Sequence, residues 1–257
     1  MNSLCADRNT VGSPLSLLHR GAGKSSVLMV ITSLMTAMLI LLLPAATAWA
    51  APNALTIEAL KDRYQDEIGA HQAYVAYADR ACREGYPNIA HLFKSLAASE
   101  GVHARNFKKL LQELKVDIIS IPMPKAREVG STRSNLKHAT AVERDEIDHE
   151  YPGILKRITS EANQDAITSI TYAWKAEQQH RDLIEKIYNA AKRWFGLLVG
   201  RIEGGDSHYH VCSICGSTLT EVPTDKCPIC AQSVSHYREV VAYPKAACKA
   251  PAQDDDW

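Results

Sequence analysis

Apolar residues recur at helical spacing along four stretches of this 257-residue chain. The stripes run from Leu60 to Ala78, from Leu92 to Leu110, from Tyr151 to Ile158 and from Ile167 to Ile187. Residues three and four positions apart lie on one face of an α-helix, so each stretch has one side suited to a core. The pattern predicts an all-α fold built as a four-helix bundle.

The segment between the second and third stretches, residues 115–133, loses this periodicity and contains Pro122 and Pro124. About 18 extended residues span up to ~60 Å, whereas a helix of about 27 residues is only ~40 Å long. The segment can therefore return along the whole length of the bundle. A long crossover of this kind distinguishes ferritin-like bundles from simple up-and-down bundles.

Polar side chains interrupt the second and fourth stripes in the same way, as Glu-x-x-His motifs. Glu100 and His103 form one motif, and Glu177 and His180 form the other, 77 residues later. Positions i and i+3 share a helix face, so both motifs point into the predicted core. An unpaired buried charge costs several kcal/mol, a large share of a domain's stability. A bound metal is the natural compensation.

The same 77-residue offset relates Tyr74 to Tyr151, and glutamates precede both tyrosines. Glu67 precedes Tyr74 by seven residues, whereas Glu143 precedes Tyr151 by eight, with Glu146 between them. We expect a π-bulge in the third helix to absorb the additional residue. Hydrogen bonds from the two tyrosines to metal-bound carboxylates are the functional interpretation, and ordinary core aromatics are the alternative.

The resulting ligand set is that of di-iron and di-manganese bundles, in which two helices supply glutamate and two supply Glu-x-x-His. Nitrogen and oxygen ligands in this mixture favour iron or manganese. Two divalent ions carry four positive charges, which four glutamates neutralise, so Glu146 is surplus until oxidation adds charge. The predicted dinuclear ligands are Glu67, Glu100, His103, Glu143, Glu146, Glu177 and His180. Three further histidines are interpreted as surface or satisfied helix residues: His71, His91 and His149.

Four of the seven cysteines form two CxxC pairs, Cys212/Cys215 and Cys227/Cys230. This spacing predicts a tetrahedral four-thiolate metal site. Two strained disulfides across the same loops are the less favoured alternative. The site holds iron for one-electron transfer or zinc for structure, and the neighbouring Gly216 and Pro228 favour iron. Three irons per chain are therefore expected, two in the bundle and one here.

The chain begins with a predicted export signal. Basic residues precede an uncharged apolar run at residues 27–43, and Ala48-Trp49-Ala50 matches an A-x-A cleavage site, so we expect cleavage after Ala50. The run barely reaches membrane-spanning length, and an uncleaved anchor is the alternative. The predicted location is the periplasm.

These features divide the chain into five parts. They are a signal peptide (1–50), a ferritin-like bundle (51–195), a glycine-rich linker (196–207), a four-cysteine domain (208–243) and a disordered tail (244–257). Cys5 leaves with the signal, Cys82 is interpreted as a packed thiol at a helix end, and Cys248 falls in the polar tail. The formal net charge is zero, and removal of the basic leader makes the chain slightly acidic, so no nucleic-acid partner is expected.

Taken together, these residues resemble those of the rubrerythrins, in which a ferritin-like di-iron domain precedes a rubredoxin-like domain. The similarity covers about residues 56–243. Its most specific segments are Glu100-Gly-Val-His103-Ala104, Glu143 to Pro152 and Glu177-Gln-Gln-His180. In place of the aromatic residue that often stands two positions before the first knuckle cysteine, this chain has His210.

The resemblance implies a peroxidase that reduces hydrogen peroxide to water, acts as a homodimer and receives electrons through the rubredoxin-like iron from an unidentified donor. It implies that the seven predicted ligands bind or adjoin two irons. The catalytic residues would be Glu146, His103, Tyr74 and Tyr151. One iron would be held by His103 when reduced and would move toward Glu146 when oxidised. An iron-storage ferroxidase and a zinc-containing structural or sensory module are the alternatives.

We predict that the mature protein begins at Ala51, because an A-x-A site follows an apolar run of near-minimal length. N-terminal sequencing of the protein recovered from the exported fraction measures this directly. A full-length chain retained in the membrane would contradict the prediction.

Overall fold

A computed structural model describes residues 52–191 and 204–248. The bundle contains α1 (Ala54–Arg83), α2 (Pro87–Glu113), α3 (Thr132–Asp145), α4 (Tyr151–Ile158) and α5 (Gln164–Ala191). A π-helical turn at Glu146–Glu150 joins α3 to α4, so these two form the third helix of the bundle. The predicted ferritin-like four-helix bundle is confirmed. The predicted signal peptide and most of the predicted linker lie outside the described residues.

The core consists of two apolar clusters, one toward each end of the bundle. Tyr77 and Phe93 lie in the cluster nearest the turn between α1 and α2. Leu60, Phe107 and Ile170 lie in the other cluster. The buried glutamates and histidines lie in the layer between the clusters, where all four helices contribute side chains. Within the described residues, no helix combines the length and apolarity needed to cross a membrane.

The first helix ends because Gly85 adopts a left-handed conformation with φ of 81°. The amide of Gly85 donates to the carbonyl of Cys82, and that of Tyr86 donates to the carbonyl of Ala81. These bonds satisfy carbonyls that a helix end leaves without partners. Pro87 then begins α2, where its missing amide hydrogen costs nothing.

The crossover between α2 and α3 follows α1. The Gln65 side chain donates to the carbonyl of Pro122, and Gly69 lies next to Pro124. Further along, the Tyr77 hydroxyl reaches the carbonyl of Glu128 at 3.4 Å. The long connection expected from the sequence therefore runs beside the bundle.

The π-helical turn occupies residues 146–150, where the tyrosine offset predicted an additional residue. Its position confirms the predicted bulge. The indole of Trp174 donates to the carbonyl of Ile147 at 2.9 Å and so supplies a partner inside the distorted turn. Pro152 follows at the start of α4, where the preceding turn has already broken the regular α-helical bonding.

The C-terminal domain is a small three-stranded antiparallel sheet in the order β2-β1-β3. Its strands are β1 (His210–Cys212), β2 (Thr218–Leu219) and β3 (Tyr237–Glu239). The four cysteines form its apolar centre with Tyr237. A domain of this size has too little core to be stable without a cross-link or a metal.

This domain is docked along α2. Asn88 donates to the carbonyl of Gly205, and His91 contacts the Ser207 hydroxyl and the carbonyl of Val240 through its two ring nitrogens. The sequence placed residues 196–207 in a linker, but 204–207 lie against the bundle. Further toward the C-terminal end of α2, the side chains of Ser99, Arg105 and Asn106 donate hydrogen bonds to the first CxxC loop and to Gly216 after it.

The structure corrects the interpretation of Cys82 and Cys248. The two form a disulfide across 166 residues of sequence, and both are buried. Residues 245–247 form a short 3₁₀ turn that leads into this bond, so the part of the predicted tail up to Cys248 is attached to α1. Spacing along the chain could not reveal the pairing, because it depends on how the second domain docks.

We predict that replacing both Cys82 and Cys248 with serine lowers the free energy of unfolding by about 2–4 kcal/mol, because a cross-link restricts the unfolded chain. Urea unfolding of the metal-loaded protein measures the change. Alkylation of the denatured, unreduced protein followed by mass spectrometry provides the control, since a bonded Cys82 stays unlabelled. Equal stability of the double variant and the parent would contradict the prediction.

Candidate metal centres

Two groups of buried side chains in the bundle bring their ligand atoms within 4.8 Å of one another. The first contains Glu67, Glu100, His103 and Glu177. The second contains Glu100, Glu143, Glu177 and His180. Glu100 and Glu177 belong to both groups, so each could help to hold two ions. Six of the seven predicted dinuclear ligands are thus together.

Helix geometry explains the convergence. On both α2 and α5, the glutamate and histidine of a motif lie one turn apart on the inward face. The two imidazole rings face each other with centroids 6.1 Å apart. Glu67 on α1 and Glu143 on α3 complete the groups from the other two helices. Each helix therefore contributes to one layer of ligands.

The residues pass a test of fit to metal. His103 Nδ1 lies 3.0 Å from Glu100 Oε2, 3.1 Å from Glu177 Oε1 and 3.5 Å from Glu67 Oε2. Donor atoms bound to one ion at about 2.1 Å have such separations, ~3 Å. Among the described residues, several of the buried inward atoms have no hydrogen bond of normal geometry, namely Glu100 Oε2, Glu143 Oε2, Glu177 Oε1 and His103 Nδ1. A polar atom is rarely left in this state without a ligand.

The outer nitrogens of both histidines are bonded to the C-terminal domain. His103 Nε2 lies 3.2 Å from the carbonyl oxygen of Cys215, which can only accept. His180 Nε2 lies 3.2 Å from the hydroxyl oxygen of Thr218, which itself donates to the carbonyl of Gly216. Both histidines therefore donate from Nε2, and their Nδ1 atoms face inward, where each would act as a metal ligand. Such outer partners orient metal-binding histidines in general.

The two predicted tyrosines hydrogen-bond to ligand carboxylates across the bundle. The hydroxyl of Tyr74 donates to Glu143 at 2.6 Å, and that of Tyr151 donates to Glu67 at 2.7 Å. Each tyrosine thus bonds the glutamate that precedes the other tyrosine in sequence. Burial, reinforced by the adjacent carboxylates, raises the pKa of both phenols, so they stay protonated donors.

The pKa shifts of the buried glutamates and histidines indicate that this layer needs positive charge. Burial raises the pKa of Glu67 to about 7 and also raises the pKa of Glu143. Burial alone lowers the pKa of His103, but the neighbouring carboxylates outweigh this and raise it. The same competition lowers the pKa of Glu177, because His180 and His103 outweigh its burial. Two divalent ions would replace these shared protons.

Glu146 stands apart from both ligand groups. Its side chain is 15% exposed, whereas those of the grouped glutamates are 5% exposed or less. It lines a cleft of about 680 Å³ with Asp66, Arg127, His138 and Glu150. Burial raises the pKa of Glu146, and nearby carboxylates add to the increase. Its carboxylate lies between the ligand layer and the surface.

The second centre is formed by Cys212, Cys215, Cys227 and Cys230, all of them buried and free of disulfides. The two CxxC loops have the same backbone hydrogen bonds, from Gly216 to the carbonyl of Cys212 and from Ala231 to that of Cys227. The paired loops place the four sulfurs within 4.8 Å of one another. This arrangement fits the predicted iron site, and the alternative of two disulfides is wrong.

The Rubrerythrin family profile matches residues 58–188, half of the chain. The chain belongs to the rubrerythrin family. Rubrerythrin-2 of Clostridium acetobutylicum is 31% identical over 69% of this chain and 92% of that protein. Nigerythrin of Nitratidesulfovibrio vulgaris is 31% identical over 68% of this chain and 81% of its own length. The fully reduced, all-ferrous structure of nigerythrin superimposes with a TM-score of 0.62, at 28% identity, over 78% of this chain and 91% of that one.

Family membership, together with the two ligand clusters, identifies the centres as a di-iron site and a four-cysteine iron site, as predicted. The protein is accordingly a di-iron oxidoreductase.

Of the histidines that the sequence analysis placed outside the metal site, His71 bonds the carbonyl of Ala97, His91 bonds the docked domain, and His149 is exposed. Sequence reasoning missed Arg63, which is buried beside Glu146. Its position one helical turn before Glu67 could have indicated from the sequence that Arg63 lies on the inward face.

Proposed function

We propose that this protein reduces hydrogen peroxide to water at the di-iron site and receives electrons through the four-cysteine iron. The observation that carries the proposal is the docking of the C-terminal domain on the ligand histidines, with its first CxxC loop on His103. His103 bonds the carbonyl of Cys215, and Cys215 is itself a predicted ligand of the second iron. An iron-storage protein would have no need of this connection.

The chemistry requires two electrons and two protons for each peroxide, which becomes two water molecules. The iron pair, when bound, supplies the electrons that cleave the oxygen–oxygen bond. The carboxylate of Glu146 supplies a site for a proton, because burial raises its pKa and one side of it faces the cleft. Tyr74 and Tyr151 keep the ligand carboxylates oriented by donating hydrogen bonds from their hydroxyls to Glu143 and Glu67.

The cleft beside Glu146 suits a small, neutral substrate. At about 680 Å³ it is far larger than a peroxide molecule, and it leads to the one predicted ligand that is partly exposed. Its rim is mainly acidic, with Asp66, Glu128 and Asp145 opposed by Arg127. Such a rim favours neutral peroxide over anionic substrates.

The electron path that we propose runs from the second iron through Cys215 and its carbonyl to His103. Ser99 bonds the carbonyl of Gly216 at 2.6 Å, and Gln179 accepts from the Ser217 hydroxyl and the Thr218 amide. These bonds hold the loop on both Glu-x-x-His helices. The physiological donor would reduce the four-cysteine iron, and its identity, like the homodimer, stays a prediction.

Export to the periplasm is the third part of the proposal. The Cys82–Cys248 disulfide supports it, because such bonds persist in oxidising compartments and are rare in the cytosol. The apolar run and A-x-A site at residues 27–50 provide the independent argument from sequence. In such a compartment the four metal-binding cysteines are protected from oxidation by burial and by their metal.

We predict that Glu146→Ala still loads two ferrous ions but reduces peroxide turnover by about 100-fold, the usual scale for loss of an acid–base group. His103→Ala should instead weaken ferrous loading, because it removes a ligand of the first group. Anaerobic iron titration and peroxide consumption with an artificial donor measure both effects. Glu185→Ala is the control, since it removes a carboxylate that bonds Arg144 outside the site. Full turnover in Glu146→Ala would refute the role of Glu146.

We predict that Gly216→Ala slows electron transfer to the bundle by tenfold or more while the four-cysteine iron still binds. A Cβ at Gly216 would lie 2.2 Å from His103 Nε2, so the loop must move away. The left-handed backbone costs about 1 kcal/mol. Ala231 occupies the matching place in the second loop with φ of 56°, which shows that such a knuckle accepts alanine.

Stopped-flow reoxidation of the four-cysteine iron by peroxide measures this transfer. Ala231→Gly is the matched control and should leave the rate unchanged, because Ala231 is exposed whereas Gly216 faces the buried His103. A Gly216→Ala variant that reoxidises at the parent rate would refute the proposed path. Rapid oxygen consumption with ferrous ion, together with no measurable consumption of peroxide, would favour the ferroxidase alternative.

A further inference from the structure

Arg63 is a charged side chain inside the bundle that none of the assigned roles uses. It lies on α1 one turn before Glu67, and its side chain is 6% exposed. A buried guanidinium is costly unless carboxylates compensate it and accept its hydrogen bonds. Its surroundings therefore indicate what it does.

The two ends of the guanidinium have different partners. Nη2 donates to Asp66 at 2.5 Å and to Glu150 at 2.6 Å. Nη1 lies 3.8 Å from Glu146 Oε1, and neither Nη1 nor Nε has a hydrogen-bond partner within residues 52–191 and 204–248. The charged centre also lies 5.3 Å from the ring centroid of Tyr151. One end is thus anchored, while the other faces Glu146 with donor capacity to spare.

We propose that Arg63 is a positioning residue that holds Glu146 away from the metal pair, with Asp66 and Glu150 keeping the guanidinium in place. The inference deepens the proposed function, since it concerns the carboxylate assigned there to the reaction. Glu146 has two cationic neighbours that compete for it, Arg63 on one side and the metal pair on the other. The charge of Arg63 favours the arrangement in which Glu146 is off the metals.

The exposure of the three carboxylates near Arg63 decides which of them it attracts most strongly. Asp66 and Glu150 are 43% and 40% exposed, so water screens their attraction to Arg63 and their main contribution is orientation. Glu146 is 15% exposed and faces the buried Nη1, so its interaction with Arg63 is the least screened. At 3.8 Å the pair is long for an ion pair, so Glu146 is not held by a short hydrogen bond to Arg63.

Oxidation of a bound iron pair would raise its positive charge and would draw Glu146 away from Arg63. Loss of Arg63 removes the attraction that opposes this movement, so the oxidised state becomes easier to reach. In Arg63→Met the equilibrium between reduced and oxidised iron should shift about tenfold toward the oxidised form. For a one-electron step this corresponds to a midpoint potential lower by ~59 mV.

The experiment is a redox titration of the di-iron pair in the full-length, metal-loaded protein, without peroxide. Arg63→Lys keeps the positive charge, so its midpoint potential should stay close to that of the parent. Arg144→Met is the matched control, because it removes a cation that bonds Glu185 and not Glu146. It should shift the equilibrium by less than twofold. An equal shift in Arg144→Met and Arg63→Met would overturn the proposal.

A second set of variants separates positioning from a general effect of charge. In a Glu146→Gln background, the attraction between Arg63 and residue 146 is already lost, so adding Arg63→Met should produce little further shift. An undiminished tenfold shift in that background would overturn the proposal. Glu150→Gln tests the same idea without altering Arg63, and a smaller shift in the same direction is expected because the guanidinium loses one anchor.

Iron content of each variant is measured beside the potential. Arg63→Met should retain two irons in the bundle, because Arg63 belongs to neither ligand group. If Arg63→Met does not fold, the comparison of Glu150→Gln with its Glu146→Gln double variant decides in the same way. Since no peroxide is present, the titration is independent of whether peroxide is the physiological substrate.

Discussion

The structure depends on one constraint, the burial of carboxylates in the centre of a helix bundle. Glu67, Glu100, Glu143 and Glu177 are at most 4% exposed, and they meet two buried histidines in one layer. Without cations their repulsion and desolvation would approach the whole stability of a domain, ~5–15 kcal/mol. The layer therefore needs compensating positive charge, and apolar clusters lie on both sides of it.

The C-terminal domain depends on the same layer. Its first CxxC loop bonds Nε2 of His103, and Thr218 in β2 bonds Nε2 of His180, so the orientation of the ligands and the docking of the domain stabilise each other. Gly216 permits the close approach, since any side chain there would overlap His103. The disulfide from Cys82 to Cys248 fixes the far end of the domain to α1. Two separate attachments thus hold one iron centre against the other.

Charge compensation extends outward from the metals. Tyr74 and Tyr151 each bond a ligand carboxylate from the opposite side of the bundle. Beyond them, Arg63 places a fixed positive charge beside Glu146, the one predicted ligand that lies outside both groups. A carboxylate between two cations responds to a change in either, which is the property that a redox-linked ligand requires.

The sequence by itself determined the helices, the repeated Glu-x-x-His motifs and the π-helical turn, because helical periodicity and a one-residue offset are local properties of the chain. The pairing of CxxC loops was likewise predictable from spacing alone. Tertiary structure decided the rest: the partner of Cys82, the contact of Cys215 with His103, and the burial of Arg63 beside Glu146. Each joins residues far apart in sequence, and its existence depends on how the domains and helices dock, which no local pattern encodes.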